Sequence, residues 1–217
     1  MQVMVIGLGN FGLSVSRALA SHGVDVLAVD RDPERVRAVA DIVSEALVMD
    51  ATDADALGRT APEKRDVCIC GIGDESTEAS IICTALLRQL GAARIVARAN
   101  NPLHSRILTL VGAHKVVNPE NEFGVGFARQ LAYSRLLAEM PLGDDLTISE
   151  IEVPELFAGR TLVELALPQR FSIVVIAVRA GQDGKVRLPE PAVPLARGDV
   201  VVVVGTANSV VRLLERS

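Results

Sequence analysis

The chain has 217 residues, 49% of them apolar and only 3% aromatic, with a formal net charge of −5. The apolar share excludes a disordered chain. The negative charge and scarce aromatics argue against a nucleic-acid partner, which selects basic surfaces and stacking rings. The length suits one large domain or two small ones.

In chain order, residues 2–7 (QVMVIG) read as a buried strand, 11–21 as a helix and 24–29 (VDVLAV) as a second strand. Asp32 and Pro33 open the next helix, as N-cap and first helical residue. Residues 45–49 form a weak third strand, and 53–59 a short helix capped by Asp53. Residues 67–72 (VCICGI) are a fourth strand. Ile82, Leu86 and Leu90 then recur at helical spacing in a helix over 76–90, with Gly91 at its C-terminal end. Residues 94–98 are a fifth strand, Asn101-Pro102 opens a helix to 110, and 115–118 is a short sixth strand. Strands alternating with helices require crossover connections, hence a doubly wound, Rossmann-like parallel sheet covered on both faces.

A single long helix is expected over 119–140, with Phe123, Phe127 and Leu131 on one stripe. Pro141, Leu142, Gly143, Asp144 and Asp145 read as a linker or turn. The pattern beyond is β-rich: 146–153, 173–179, 186–188 and 199–205, with a hairpin signal at residues 181–184 (GQDG) and a closing helix over 208–214. These signals divide the chain into an α/β domain over 1–140 and a smaller α+β domain over 141–217. No apolar run approaches the ~18 residues of a membrane span, so no direct membrane insertion is expected. Cys68 and Cys70 lie two apart on a strand and share a face. With no second Cys or His pair beside them, they read as small buried residues and not as a metal site.

Residues 7–12 (GLGNFG) are a G-x-G-x-x-G sequence between a strand and a helix. Gly7 permits the tight turn, Gly9 lets a phosphate approach the backbone, and Gly12 lets the helix pack close. The helix N-terminus offers free amides and a positive dipole end. Asp30 ends the second strand, eighteen positions after Gly12, where a carboxylate accepts from ribose hydroxyls and repels a 2′-phosphate. Asp50, with Ala51 and Thr52, follows the third strand on the adenine side. The pattern predicts an adenine nucleotide and leaves NAD, ATP and ADP open.

Taken together, these residues resemble the RCK (TrkA/KtrA-like) regulatory proteins of bacterial Trk and Ktr potassium uptake systems. The resemblance rests on VIGLGNFG (5–12), LAVDRD (27–32), DAT (50–52), ARANNP (97–102) and GAHKVVNPENEFG (112–124). It continues through GRTLVEL (159–165) and GDVVVVVGT (198–206) in the second domain. It implies a cytoplasmic, nucleotide-binding regulatory subunit, peripheral at the inner face of the membrane, that gates a potassium-translocating partner. It further implies homodimers that assemble into an octameric ring, with ATP, ADP or NAD(H) as ligand. The cofactor set it implies is Gly7, Gly9, Asn10, Phe11, Gly12, Asp30, Arg31, Asp50, Ala51, Thr52, Gly73 and Arg98. Arg98 would reach phosphates, and Glu120 would hold a divalent or monovalent cation. Asn118 replaces the His of the family's H-P-E motif, while Pro119 and Glu120 remain. Asn10 stands where many members carry an Arg that meets a terminal phosphate, which leaves room for NAD. Pro168 and Val174 stand where cyclic di-AMP-binding members have Arg and Asn, so that ligand is not expected.

The competing expectation is a NAD-dependent oxidoreductase; a free-standing nucleotide or redox sensor is a third. An oxidoreductase needs a proton donor beside its cofactor. The second domain has no His, and Leu137 stands where a reductase Tyr133 would be followed by Lys. His22, His104 and His114 read as structural, so no catalytic residue is expected.

Overall fold

A computed structural model describes residues 1–73, 76–143, 145–181 and 184–215. The chain divides into two compact units, Met1–Glu122 and Phe123–Ser217.

The first unit is a six-stranded sheet of β1 (Gln2–Ile6), β2 (Asp25–Asp30), β3 (Glu45–Val48), β4 (Val67–Cys70), β5 (Ile95–Arg98) and β6 (Lys115–Val117). Its order is β3-β2-β1-β4-β5-β6 and every pair is parallel. The helices α1 (Asn10–Ser21), α2 (Pro33–Arg37), α3 (Ala54–Arg59), α4 (Thr77–Gln89) and α5 (Pro102–Val111) supply the crossovers. Alternate strand residues feed two cores. Met4, Ile6, Cys68, Cys70 and Ile95 pack with Leu87 and Cys83 on one face, while Val3, Val5, Val26 and Ala28 pack with Val36 on the other. The paired Cys68 and Cys70 thus share a face, as their spacing predicts, and all three cysteines are buried and free. Burial pushes the Cys68 thiol up to about 12, which suits an inert core residue.

In the first unit, four of the described helices open on a side-chain cap. Asp32 accepts from the Glu34 N–H, Asp53 from those of Asp55 and Ala56, Ser76 from that of Ala79, and Asn101 from that of His104. α1 differs: its N-cap is Gly9, which has no side chain to offer. The amides of its first turn are left without an intrahelical acceptor.

α6 (Pro119–Ala132) leads into the second unit, where β7 (Leu136–Gly143), β8 (Leu146–Glu152), β9 (Val174–Arg179), β10 (Val186–Arg187) and β11 (Val200–Thr206) form an antiparallel sheet. Its order is β10-β9-β11-β8-β7. Ile151, Val178, Val201 and Val203 pack on Leu165, Leu167, Phe171 and Leu213 of α7 (Leu162–Leu165), α8 (Leu167–Phe171) and α9 (Ala207–Glu215). Two expectations need correction here. The helix expected over 119–140 ends at Ala132, and Leu136 to Met140 pair with β8, on the second unit's side of the division. Pro141 to Gly143 are the end of β7 and not a linker; Gly143, at φ +114°, is where the chain turns towards β8. β7 is an edge strand, the position in a sheet that tolerates a proline such as Pro141. Of the expected hairpin signal at 181–184, residues 182 and 183 lie outside the described residues. The flanking Ala180 N–H still donates to the Lys185 carbonyl at 3.0 Å.

Candidate functional site

The strand order reverses between β1 and β4, and a doubly wound sheet binds ligands where that happens. A cavity of about 770 Å³ lies there, over the carboxyl ends of β1, β2, β4 and β5. Of the predicted cofactor set, all but Gly12 line it, and so does Glu120.

Gly12 acts from behind the wall. A Cβ there would overlap the Gly7 carbonyl oxygen, so only glycine lets α1 sit this close to the turn. Gly7 has φ +88° and lies against the β4 turn, where a Cβ would come 2.7 Å from the Ile72 nitrogen. A Cβ on Gly9 would meet nothing within 4 Å, so this glycine borders open space. The floor is thus backbone, topped by the uncapped amides of α1.

Asp30 is 6% exposed. Its Oδ2 accepts from the Leu8 N–H at 2.6 Å and its Oδ1 from the Asp32 N–H at 2.9 Å. Arg35 Nη1 stands 3.9 Å from Oδ2. Each carboxylate oxygen has a second lone pair, so the group braces the glycine loop and can still accept from hydroxyls. Asp50 Oδ1 accepts from both the Thr52 N–H at 2.9 Å and the Thr52 hydroxyl at 2.7 Å. The Thr52 backbone bond, then the hydroxyl bond, hold the Asp50 carboxyl below its ordinary range, with Arg31 adding to the effect. Asp50 therefore stays an acceptor at neutral pH.

At the other end, Arg98 grips Glu120 through two bonds, Nη2 to Oε1 at 2.6 Å and Nε to Oε2 at 3.4 Å. The Arg98 side chain is 11% exposed and that of Glu120 60%. A Cβ on Gly73 would overlap the Arg98 guanidinium, so the glycine makes room for it. An adenine nucleotide fits these residues: acceptors at the hydroxyl and amino end, free amides in the middle, a guanidinium at the far end.

The sequence reading missed Arg35, and also Ser76, Glu78, Ala79 and Ile82 at the start of α4. The signal for α4 was present. Ser76 caps a helix that follows a strand, at the same sheet edge as the glycine loop. Among the described residues no group of three or more His, Cys, Asp or Glu could hold a metal ion. His22 sits at the end of α1, with Nδ1 2.7 Å from the Ala18 carbonyl, as a helix-end residue should.

Known proteins resemble the chain along nearly its whole length. The model of the TrkA-N domain matches residues 3–119 and that of the TrkA-C domain residues 146–216. The chain is 32% identical to Ktr system potassium uptake protein C of Bacillus subtilis (strain 168) over 212 residues, 98% of this chain and 95% of that protein. It is 32% identical to Ktr system potassium uptake protein A of Vibrio alginolyticus over 214 residues, 99% of this chain and 96% of that protein. Among solved structures, the GsuK RCK domain shares the fold at a TM-score of 0.65 and 22% identity, with 99% of this chain matched to 47% of that one. The GsuK channel bound to NAD matches at 0.65 and 21%, with 96% of this chain matched to 38% of that one. The chain thus spans half or less of those structures. With both domain models matched in order along the chain and two near-full-length relatives, it belongs to the TrkA family of RCK-domain proteins, a TrkA-N domain followed by a TrkA-C domain.

Proposed function

We propose that this chain is a nucleotide-binding regulatory subunit that gates a membrane potassium-translocating protein of the Trk/Ktr type. The observation that carries the reading is the cavity at the sheet's reversal point, with buried Asp30 beside an uncapped helix start. The potassium uptake proteins it resembles over nearly their whole length supply the transport context. No helix among the described residues is long and apolar enough to cross a membrane; in this proposal a separate partner carries out translocation. The subunit works in the cytoplasm, held at the membrane through that partner.

The ligand is ATP, ADP or NAD(H). Asp30 takes the ribose hydroxyls, Asp50 the adenine amino group, and the α1 amides the diphosphate. Arg98 reaches the phosphate beyond. Glu120, released from Arg98 when phosphate binds, takes a cation that offsets the added negative charge. The protein is a sensor and not an enzyme. The potassium uptake proteins it resembles support this over an oxidoreductase.

Gating is a population shift between two shapes of an assembly of dimers, an octameric ring. A nucleotide biases those shapes only through its differential affinity for each. ATP and ADP share every contact at Asp30 and Asp50, so discrimination lies at Arg98 and Glu120. Sedimentation velocity of the purified protein with ATP, ADP and NADH in turn tests this. Different profiles for ATP and ADP are expected; identical profiles for all three would end the nucleotide-identity switch.

A further inference from the structure

β5 presents Arg98 to the cavity from its last position. Both ends of this strand are closed by an imidazole. At the start, the Ile95 N–H donates to His114 Nδ1 at 3.0 Å. Past the end, the Asn100 N–H donates to His104 Nδ1 at 3.3 Å. His104 is 1% exposed, and its own N–H donates to Asn101 Oδ1 at 2.9 Å. A ring nitrogen that accepts carries no proton, so this bond requires an unprotonated Nδ1, while Nε2 is buried without a hydrogen-bond partner among the described residues. Burial favours the neutral ring, lowering the His104 pKa.

The two residues after Arg98 therefore have fixed backbone donors. The Ala99 N–H goes to the Val117 carbonyl of β6 at 2.8 Å, and the Asn100 N–H to His104. The guanidinium itself has little freedom, wedged between Gly73 and Glu120. A side chain in so narrow a slot meets a phosphate well only if its backbone does not drift.

We infer that His104 is a positioning residue for Arg98: its imidazole fixes the turn after β5, and so fixes where the guanidinium meets the phosphate end of an adenine nucleotide. The inference rests on the nucleotide reading of the cavity. His104 is not among the residues that line that cavity; its side chain acts through the Asn100 N–H.

The test compares calorimetric affinities for adenosine, which lacks phosphate, and for ADP. His104→Leu removes the acceptor, while His104→Asn places an amide oxygen near the Nδ1 position. In His104→Leu, ADP affinity falls on the order of tenfold, the worth of a displaced charge-assisted bond, while adenosine affinity stays within about twofold. His104→Asn restores most of the ADP affinity. In an Arg98→Ala background, His104→Leu costs nothing further, because the residue it positions is gone. Equal losses for adenosine and ADP, or an undiminished loss in the Arg98→Ala background, would overturn the inference. Wild type that binds both ligands, with the ADP-to-adenosine ratio unmoved by His104→Leu, overturns the role of His104 and leaves the nucleotide reading standing. Wild type that binds neither overturns both. Should His104→Leu fail to fold, His104→Gln displaces the acceptor by one carbon and must still lower the ratio.

Discussion

Asp30 has two duties that a single substitution cannot separate. Its Oδ2 holds the Leu8 N–H inside the glycine loop, and its free lone pairs face the cavity. Asp30→Ala should therefore weaken ATP, ADP and NADH alike, each on the order of tenfold or more, as titration calorimetry would measure. Loss of one nucleotide alone would place the shared contact elsewhere. Glu120→Ala should behave differently, removing any cation dependence of binding while leaving binding itself. A cation dependence that survives it would exclude the metal role. Gly12→Ala forces a methyl onto the Gly7 carbonyl and should lower stability by roughly 1–3 kcal/mol, read from chemical denaturation, with nucleotide binding lost as the loop opens. The glycine loop and Asp30 were legible because their chemistry sits at fixed spacing along one strand-turn-helix. Arg35 lies within local reach of Asp30, on the helix that follows β2, but belongs to no motif, and the Ser76 cap at the start of α4 marks a helix without saying that the sheet order brings it to the cavity.

The elements are set by caps and by burial in different proportions. Asp53 caps α3 through the Asp55 and Ala56 amides at 2.9 and 3.1 Å, so Asp53→Ala should cost about 1 kcal/mol in denaturant unfolding. Leu87 of α4 is fully buried, and Leu87→Ala should cost several times more, about 3 kcal/mol, because it leaves a cavity against β4 and β5. The parallel strands were readable because burial on both faces gives continuous apolar runs. β7 was not. Leu136, Leu137, Ala138, Glu139 and Met140 are strong helix formers, and only pairing with β8 makes them a strand. The short α7 had a local signal that went unread: Thr161 and Glu164 form a reciprocal capping box.

At the scale of the molecule, one apolar surface and one buried imidazole set its response to partners and to pH. Phe123 and Phe127 of α6 stack at 5.6 Å between ring centroids, yet are 72% and 47% exposed, with Leu131 at 72%. An exposed apolar stripe of this kind marks an interaction surface, and for the dimer proposed above Phe127→Asp should lower the sedimenting mass; an unchanged mass would put the dimer contact elsewhere. His104 resists protonation when folded, with a pKa below its ordinary 6.5. Its stabilising share is complete above that value and is lost as pH falls, because the unfolded chain takes up a proton that the folded one refuses. The thermal midpoint should therefore drop between about pH 7.5 and about 5.5, and His104→Asn should flatten that drop. A slope identical in the variant would show that other groups set it.

The account turns on an adenine nucleotide that is held at the cavity and released unchanged. Calorimetric titration of the purified chain with ADP, beside product analysis of the same mixture, measures this directly. The account predicts a saturable heat that Asp30→Ala weakens, with the ADP recovered intact. No saturable heat with ADP, ATP or NADH, or chemical conversion of the ligand, would contradict it.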